Sequence, residues 1–409
     1  MFRHEAGKMT AVLARIFGLH HIELAEDVVQ EAFLKAVQVW KFDNIPSNPA
    51  GWLMQVAKNK AIDIIRRQEH FKQFSSEVAA QLQQEALSTV EQFFLDTEIA
   101  DSQLRMIFAC CHPLLKEEDQ VALTLKTVSG FGVAEIARAL ITNEAVIQKR
   151  LFRARKLLKE NNTELQIPCG TELTARLNTV YTVLYLLFNE GYNSLKADEL
   201  IRKDLCAEAM RLCLLLSQHK SGNQPPTFAL LAMMCFHAAR FDSRLNEQQE
   251  IVLLQHQDRS VWSRELINRG YHYLNQSAAG NQLTVYHIES AIAAEHCLAT
   301  AFENTNWQRL LQLYDLLLEY KRTPVVLLNR AIVLAQLQQV TKAIGEIWDI
   351  DDIDTLLSTQ YIFSAVLGDL YCQLKDKANA EKFLQCALEL TTSIAEKKLI
   401  GEKLKGVML

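Results

Sequence analysis

"NEAVIQKRLFRARKLLKE", Asn143–Glu160, packs six Lys or Arg into eighteen residues and still keeps an apolar stripe. At about 100° per residue, Ile147, Leu151, Ala154 and Leu158 fall on one face of a helix. Lys149, Arg153 and Lys156 fall on the opposite face, and Asn143 stands where an N-cap belongs. Just upstream, "VAEIARAL" (Val133–Leu140) reads as a short helix and Ile141-Thr142 as a turn, so the stretch predicts a helix-turn-helix. Ala137 is small where the two helices must cross, and Ile136 and Leu140 can pack under Ile147 and Leu151. Gln148, Lys149, Phe152 and Arg153 then point outward from the N-terminal half of the second helix. Placed in a major groove, Arg pairs with guanine, Gln with adenine, and Phe touches a thymine methyl. Arg150, Arg155 and Lys156 would hold phosphates. The competing reading is a solvated basic face on an ordinary core helix.

The chain has 409 residues, enough for two or three domains. About half are hydrophobic, while 14 Gly and 7 Pro are few for this length, so long helices are favoured over turn-rich sheet. No eighteen-residue apolar run occurs, which excludes an obvious membrane span. The start, MFRHEAGKMT, lacks the apolar core of a signal peptide, and nine Cys, an odd count, are scattered through helical patterns. These features predict reduced thiols and a cytoplasmic location. The net charge of −5 averages unlike segments: residues 1–67 carry +2, 68–100 carry −5, 101–160 carry +3 and 161–409 carry −5. Two mildly basic modules therefore flank an acidic connector, with a larger acidic body behind them.

An amphipathic helix is expected over Glu23–Trp40, then a loop with Pro46 and Pro49, then a helix over Pro49–Arg67 that starts from an Asn48 cap. Residues 68–100 are polar, Gln-rich and acidic, as a linker would be. A second helical module spans 101–160, Pro168-Cys169-Gly170 breaks the pattern, and from 171 to 409 helix follows helix. Near the end, Leu367, Gly368, Tyr371, Ala380, Leu384 and Ala387 have the spacing of a tetratricopeptide helix pair. Thirty-seven residues earlier, Arg330, Ala331, Leu334, Ala343, Ile347 and Ile350 echo it. A plain helical hairpin is the alternative.

In "LAEDVVQEAFLKAVQVW" (Leu24–Trp40), Leu24, Ala25, Val28, Val29, Ala32, Phe33 and Trp40 form a broad apolar side, and Asp27, Gln30, Glu31 and Gln38 share the other. In "WLMQVAKNKAIDIIRR" (Trp52–Arg67), Gln55, Asn59 and Arg66 line one stripe near Trp52. Amides, a cation and an aromatic together suit an unstacked single-stranded base, although a lone Trp is as readily a core residue.

These two stretches, at this spacing, resemble region 2 of bacterial sigma factors of the extracytoplasmic-function group. "EDVVQEAF" resembles the helix that docks on the coiled coil of the RNA polymerase beta-prime subunit, and "WLMQVAKNKAIDIIRR" the helix that opens and reads the −10 element. "EIARALITNEAVIQKRLFRAR" resembles region 4, which reads the −35 element and touches the flap of the beta subunit. The tail, with "YLLFNEGY", "QDRSVW" and "IESAIAAEH", is similar to the long helical extension of one sigma subgroup. The resemblance implies an all-α protein: region 2 over 1–67, an acidic linker over 68–100, region 4 over 101–160, and a repeat-like extension over 171–409. It implies that Asp27, Gln30 and Glu31 face beta-prime. The loop Asp43–Asn48 with Trp52, Gln55 and Asn59 would capture a flipped −10 base, and Arg66 and Arg67 would hold backbone. Gln148, Lys149, Arg150, Phe152, Arg153 and Arg155 would meet the −35 duplex. The expected partners are core RNA polymerase, promoter DNA and a regulatory protein at the C-terminal domain, with no cofactor. Ile141 stands where such turns often carry Gly, and the segment before region 2 is short.

Other constellations point nowhere sharper. "CCHP" (Cys110–Pro113) lacks a second ligand pair, so a helix end is favoured over a metal site. Glu190 and Tyr192 in "LLFNEGYNS" are candidates to line a pocket. His287, Glu289, Glu295 and His296 lack the i, i+4 spacing of a zinc protease, and no phosphate loop or nucleophile elbow occurs, so an enzyme is not expected. The whole-chain alternative is a polymerase-independent helix-turn-helix regulator with a helical effector or protein-interaction domain. For the tail, a fused regulator and a docking adaptor both remain open.

Overall fold

A computed structural model describes residues 2–40, 45–70, 92–140, 142–192, 201–248 and 250–408. Asp43, Asn44, Ile141 and the linker portion 71–91, all invoked above, lie outside those residues. The described residues are all-α, their only β feature an isolated bridge between Leu245 and Ile251. They form two units, Met1–Leu187 and Phe188–Leu409.

The first unit contains α1 (Phe2–Phe17), α2 (Ile22–Val39), α3 (Pro49–His70), α4 (Asp96–Cys110), α5 (Glu117–Thr127), α6 (Val133–Ala139) and α7 (Glu144–Glu160), and then the start of α8 (Gly170–Tyr192). The expected caps are present: the Asn48 side chain accepts from the Gly51 N–H at 2.9 Å, and Asn143 accepts from the Val146 N–H at 2.9 Å. Ile147, Leu151, Ala154 and Leu158 of α7 are all buried, and α7 packs on α5 and α6. Ala25, Val28, Val29, Ala32 and Ala36 form the buried stripe of α2.

The sequence pattern separates two modules by a linker, yet here they share a core. Met9, Val12 and Leu13 of α1 are buried, and α1 lies against α4 as well as α2 and α3. Arg15 reaches Glu98 at 2.8 Å and Asp101 at 3.0 Å, and its guanidinium sits 4.5 Å from the Phe93 ring centroid. Gly7 makes the closest approach: a Cβ there would lie 1.8 Å from the Val128 carbonyl oxygen, so only the missing side chain lets α1 touch that backbone.

In the second unit, α9 (Lys203–Gln218), α10 (Pro225–Ala238), α11 (Arg264–Ser277) and α12 (Val285–Leu298) come first. α10 is buried almost throughout, and Gly270 of α11 lies where a Cβ would meet the Phe236 ring. Helices α13 (Trp307–Tyr320), α14 (Pro324–Gln336), α15 (Val340–Trp348), α16 (Ile353–Thr359), α17 (Tyr361–Gln373), α18 (Lys377–Leu390) and α19 (Ile394–Met408) complete it. Pro324 and Tyr361 start helices thirty-seven residues apart, as do Val340 and Lys377. The hairpin α14–α15 is thus repeated by α17–α18. Gly368, equivalent to Ala331, would bring a Cβ within 2.7 Å of Leu384, so small residues set how closely the paired helices approach.

Candidate nucleic-acid and polymerase interface

On α2, Asp27, Gln30 and Glu31 are exposed on the side opposite the buried stripe, and Glu31 pairs with Lys60 of α3 at 2.5 Å. Beside them stand two apolar side chains that the sequence pattern did not single out: Leu34 is 61% exposed and Val37 76%. Together these five residues make a mixed acidic and apolar strip about three turns long. Its signal in the sequence was an apolar pair lying off the buried stripe.

On α3, Gln55, Asn59 and Arg66 are exposed, and Trp52 is half-buried with its ring 5.2 Å from that of Trp40. Asn59 Oδ1 accepts from Gln55 Nε2 at 2.9 Å, which fixes the two amides relative to each other. Arg67 follows on the same helix, and its side chain is outside the described set. Trp52 is steadied by an aromatic neighbour while amide donors and acceptors stay in solvent beside it. Such a site can stack and hydrogen-bond a single base.

On α7, Gln148, Lys149, Phe152 and Arg153 are exposed, Phe152 by 70%. Arg153 is exposed and held at once. Its Nε donates to Asp119 Oδ2 at 2.7 Å and its Nη2 to Asp119 Oδ1 at 2.5 Å, while Asp119 itself is fully buried on α5. The carboxylate occupies the Nε–Nη2 edge and leaves the Nη1–Nη2 end free for a second planar acceptor. Asp119 was not legible as the partner of Arg153, since nothing local ties it to a residue thirty-four positions later.

Two cations expected at phosphates have protein partners instead. Arg150 pairs with Glu118 at 2.9 Å, and Arg155 with Glu26 of α2 at 2.6 Å, both arginines half-buried. Burial pushes the Glu26 carboxyl above its ordinary range, and Arg155, then Lys126, pull it back only in part. The helical wheel of α7 gives the direction of Arg155 about its own axis but not the helix lying across from it.

Cys110 and Cys111 are buried at the end of α4, Cys110 Sγ lies 3.0 Å from Thr127 Oγ1, and burial pushes its thiol up to about 12. Among the described residues no group of His, Cys, Asp and Glu is arranged to hold a metal. His287 caps α12 through Thr284, and its Nε2 lies 3.1 Å from the Ser277 carbonyl. Burial pushes the Glu190 carboxyl up to about 7 against the pull of Arg202, and Arg244 lies 3.9 Å over the Tyr192 ring. No described helix is long and apolar enough to cross a membrane.

Comparison with known proteins fits this geometry. Residues 1–71 match the family described as Sigma-70 region 2, residues 105–158 match Sigma-70, region 4, and residues 176–278 match a family of unknown function, DUF6596. An uncharacterized protein of Rhizobium meliloti (strain 1021) is 31% identical over 384 residues, 94% of this chain and 90% of that protein. Two proteins of Bacillus subtilis (strain 168) are similar to part of the chain. ECF RNA polymerase sigma factor SigM is 28% identical over 33% of this chain and 78% of its own length, and ECF RNA polymerase sigma factor SigW is 29% identical over 36% and 80%. No solved structure matches. The chain belongs to the sigma-70 family, in its extracytoplasmic-function branch, with region 2 and region 4 domains and a C-terminal helical extension. The family is not enzymatic.

Proposed function

We propose that the protein binds core RNA polymerase in the cytoplasm and directs it to promoters by capturing a −10 base on α3 and reading −35 base pairs with α7. In this assignment Asp27, Gln30 and Glu31 meet the beta-prime coiled coil, joined by Leu34 and Val37. Trp52, Gln55, Asn59, Arg66 and Arg67 serve the −10 element. Gln148, Lys149, Phe152 and Arg153 serve −35, and the same module meets the beta flap. Arg150 and Arg155 reach phosphate only after leaving Glu118 and Glu26. The observation that carries the reading is the α2 strip, in which two exposed apolar side chains sit among carboxylates. A duplex-binding regulator acting alone gives that strip no partner, because DNA repels carboxylates and offers no apolar groove there. The extension, with hairpins repeating every thirty-seven residues, is a tetratricopeptide-like array that regulates the promoter-reading unit.

Run-off transcription with purified full-length protein and core polymerase, on a library of genomic upstream fragments, tests the proposal. Promoter-dependent transcripts are expected, and an Asp27→Ala/Gln30→Ala variant should lose both transcripts and co-elution with polymerase. Unaided, specific binding to duplex DNA with no transcript from any fragment would favour the stand-alone regulator.

A further inference from the structure

Three stretches of the C-terminal tail, none of them used in promoter reading, converge in the second unit. "YLLFNEGY" supplies Tyr192, "QDRSVW" supplies Gln257, Arg259 and Trp262, and "IESAIAAEH" supplies His296. His237, in the last turn of α10, and Arg240, just beyond it, sit among them. The Tyr192 ring is 4.8 Å from that of His237, and the guanidiniums of Arg240 and Arg259 lie 5.3 Å and 4.6 Å from the centroid of the Trp262 ring. Both guanidiniums are pinned. Arg240 Nε donates to Gln257 Oε1 at 3.2 Å, and Gln257 is itself held by its Nε2 on the Val252 carbonyl at 2.9 Å. Arg259 Nη1 donates to the carbonyls of His296 at 2.5 Å and Ala299 at 2.7 Å.

What this cluster lacks is negative charge. Arg150, Arg155, Arg211 and Arg330 are also half-buried, and each holds a carboxylate. Arg240 and Arg259 are half-buried and hold none among the described residues; Glu303, whose charge reaches Arg259, makes no ion pair with it. Burial, and after it the charge of Arg240, pushes down both the His296 imidazole and the Arg259 guanidinium, so like charges are gathered here rather than balanced. Donors are left over as well. Trp262 is 3% exposed, and its Nε1 and Nη2 of Arg259 are buried with no acceptor. Nδ1 of His237 and Nδ1 of His296 are also buried without a partner. Indole and guanidinium N–H groups can only donate. With Nε of Arg240 engaged, its Nη1–Nη2 edge remains for a bidentate acceptor. Half-buried cations beside unfilled donors are unfavourable until an anion completes them. Capping of α12 accounts for the carbonyl bonds of Arg259 but not for the second cation set on the same ring. Two cations and several N–H groups exceed what one carboxylate can use; they match the three oxygens and nearly double charge of a phosphate monoester. We infer that Arg240, Arg259 and the indole N–H of Trp262 bind the phosphate group of a small phosphate monoester.

The site can be tested on the full chain without polymerase or DNA, so its failure and that of the sigma assignment are distinguishable. The probes are phenyl phosphate, benzoate and benzyl alcohol, titrated calorimetrically at pH 7.5, where the phosphate is dianionic, and about 0.15 M NaCl, which screens exposed cations elsewhere. Phenyl phosphate should bind saturably and at least roughly tenfold more tightly than benzoate, with no heat from the alcohol. It should also raise the urea midpoint, because it binds only the folded chain. Arg240→Gln and Arg259→Gln should each weaken phenyl phosphate roughly tenfold or more and cancel that rise. Trp262→Phe keeps an aromatic ring between the arginines but loses the indole N–H, and should weaken binding roughly three- to tenfold. If Arg259→Gln fails to fold for want of its carbonyl bonds, Arg240→Gln, which gives up only the bond to Gln257, still decides the matter. No saturable binding of phenyl phosphate, equal affinity for benzoate, or wild-type affinity in Arg240→Gln would overturn the assignment.

Discussion

Replacing Gly7 with Ala should open the first unit. The added Cβ would lie 1.8 Å from the Val128 carbonyl oxygen and 2.7 Å from its carbon, where ordinary contact begins near 3.4 Å. The two backbones must therefore separate by about 1.6 Å at that point, and no flexible side-chain end is available to give way. Overpacking of this kind costs about 1–3 kcal/mol. If the separated arrangement relieves all of it, the closed-to-open ratio falls roughly 5- to 150-fold. The assay is single-molecule energy transfer between dyes on Lys35→Cys in α2 and Lys149→Cys in α7. The exposed native thiol is removed by Cys169→Ser, and the other eight cysteines are buried or partly so. Gly7→Ala should shift molecules from high to low transfer at unchanged helix content and raise the apparent affinity for core polymerase, since less of the protein waits in a non-competent state. An unchanged transfer histogram, or an opened unit that binds polymerase no better, would refute the reasoning.

Leu34→Glu/Val37→Glu should abolish co-elution with polymerase while leaving the melting midpoint within about 0.5 kcal/mol of wild type, because both side chains are already in solvent. Trp52→Ala should weaken capture of single-stranded −10 bases by roughly 1–3 kcal/mol in a holoenzyme binding assay and spare duplex −35 binding. Asp119→Asn releases the guanidinium of Arg153 and should relax discrimination at one −35 base pair by roughly 1–3 kcal/mol; a change spread evenly over all positions would instead assign Arg153 to phosphate. His237 and His296 are both held neutral by burial, with imidazoles pushed down to about 3 from an ordinary 6.5. The unfolded chain binds protons first, so this stability is present above pH 6.5 and drains away as the pH falls toward 3. Between pH 7 and 5.5 each should cost about 1 kcal/mol in urea unfolding, and His296→Gln should remove its share.

How much of this was legible depends on whether the information is local. The buried stripe of α7, the Asn48 and Asn143 caps and the thirty-seven-residue echo all follow from periodicity within one element, and each has its counterpart in the structure. The exposed positions on α2, α3 and α7 were legible for the same reason. The partners of the arginines were not. Glu26 lies 129 residues before Arg155, and no helical wheel relates them. Gly7 carries no sequence signal either, because a helical glycine matters only for what lies against it. Leu34 and Val37 were readable as apolar residues off the stripe, but attention to the buried face passes over them.

The closed unit and the promoter make incompatible demands, and that conflict explains the charge arrangement. Elements named −10 and −35 lie about 25 base pairs apart, and at 3.4 Å per pair they are separated by about 85 Å. A 187-residue unit is only about 40 Å across by ordinary scaling. If α3 serves −10 and α7 serves −35, as proposed, then with α1 seated on α4 and Val128 the two helices cannot reach both elements together. Arg155 faces the same choice at atomic scale, because the guanidinium that pairs with Glu26 is withheld from phosphate. Breaking a half-buried pair is unfavourable unless each charge gains another partner. In the proposed assignment, DNA would supply one for Arg155, and a polymerase surface beside Asp27 would supply one for Glu26. Neither ligand alone compensates both halves, so promoter binding without polymerase should stay weak even though the reading side chains are already exposed.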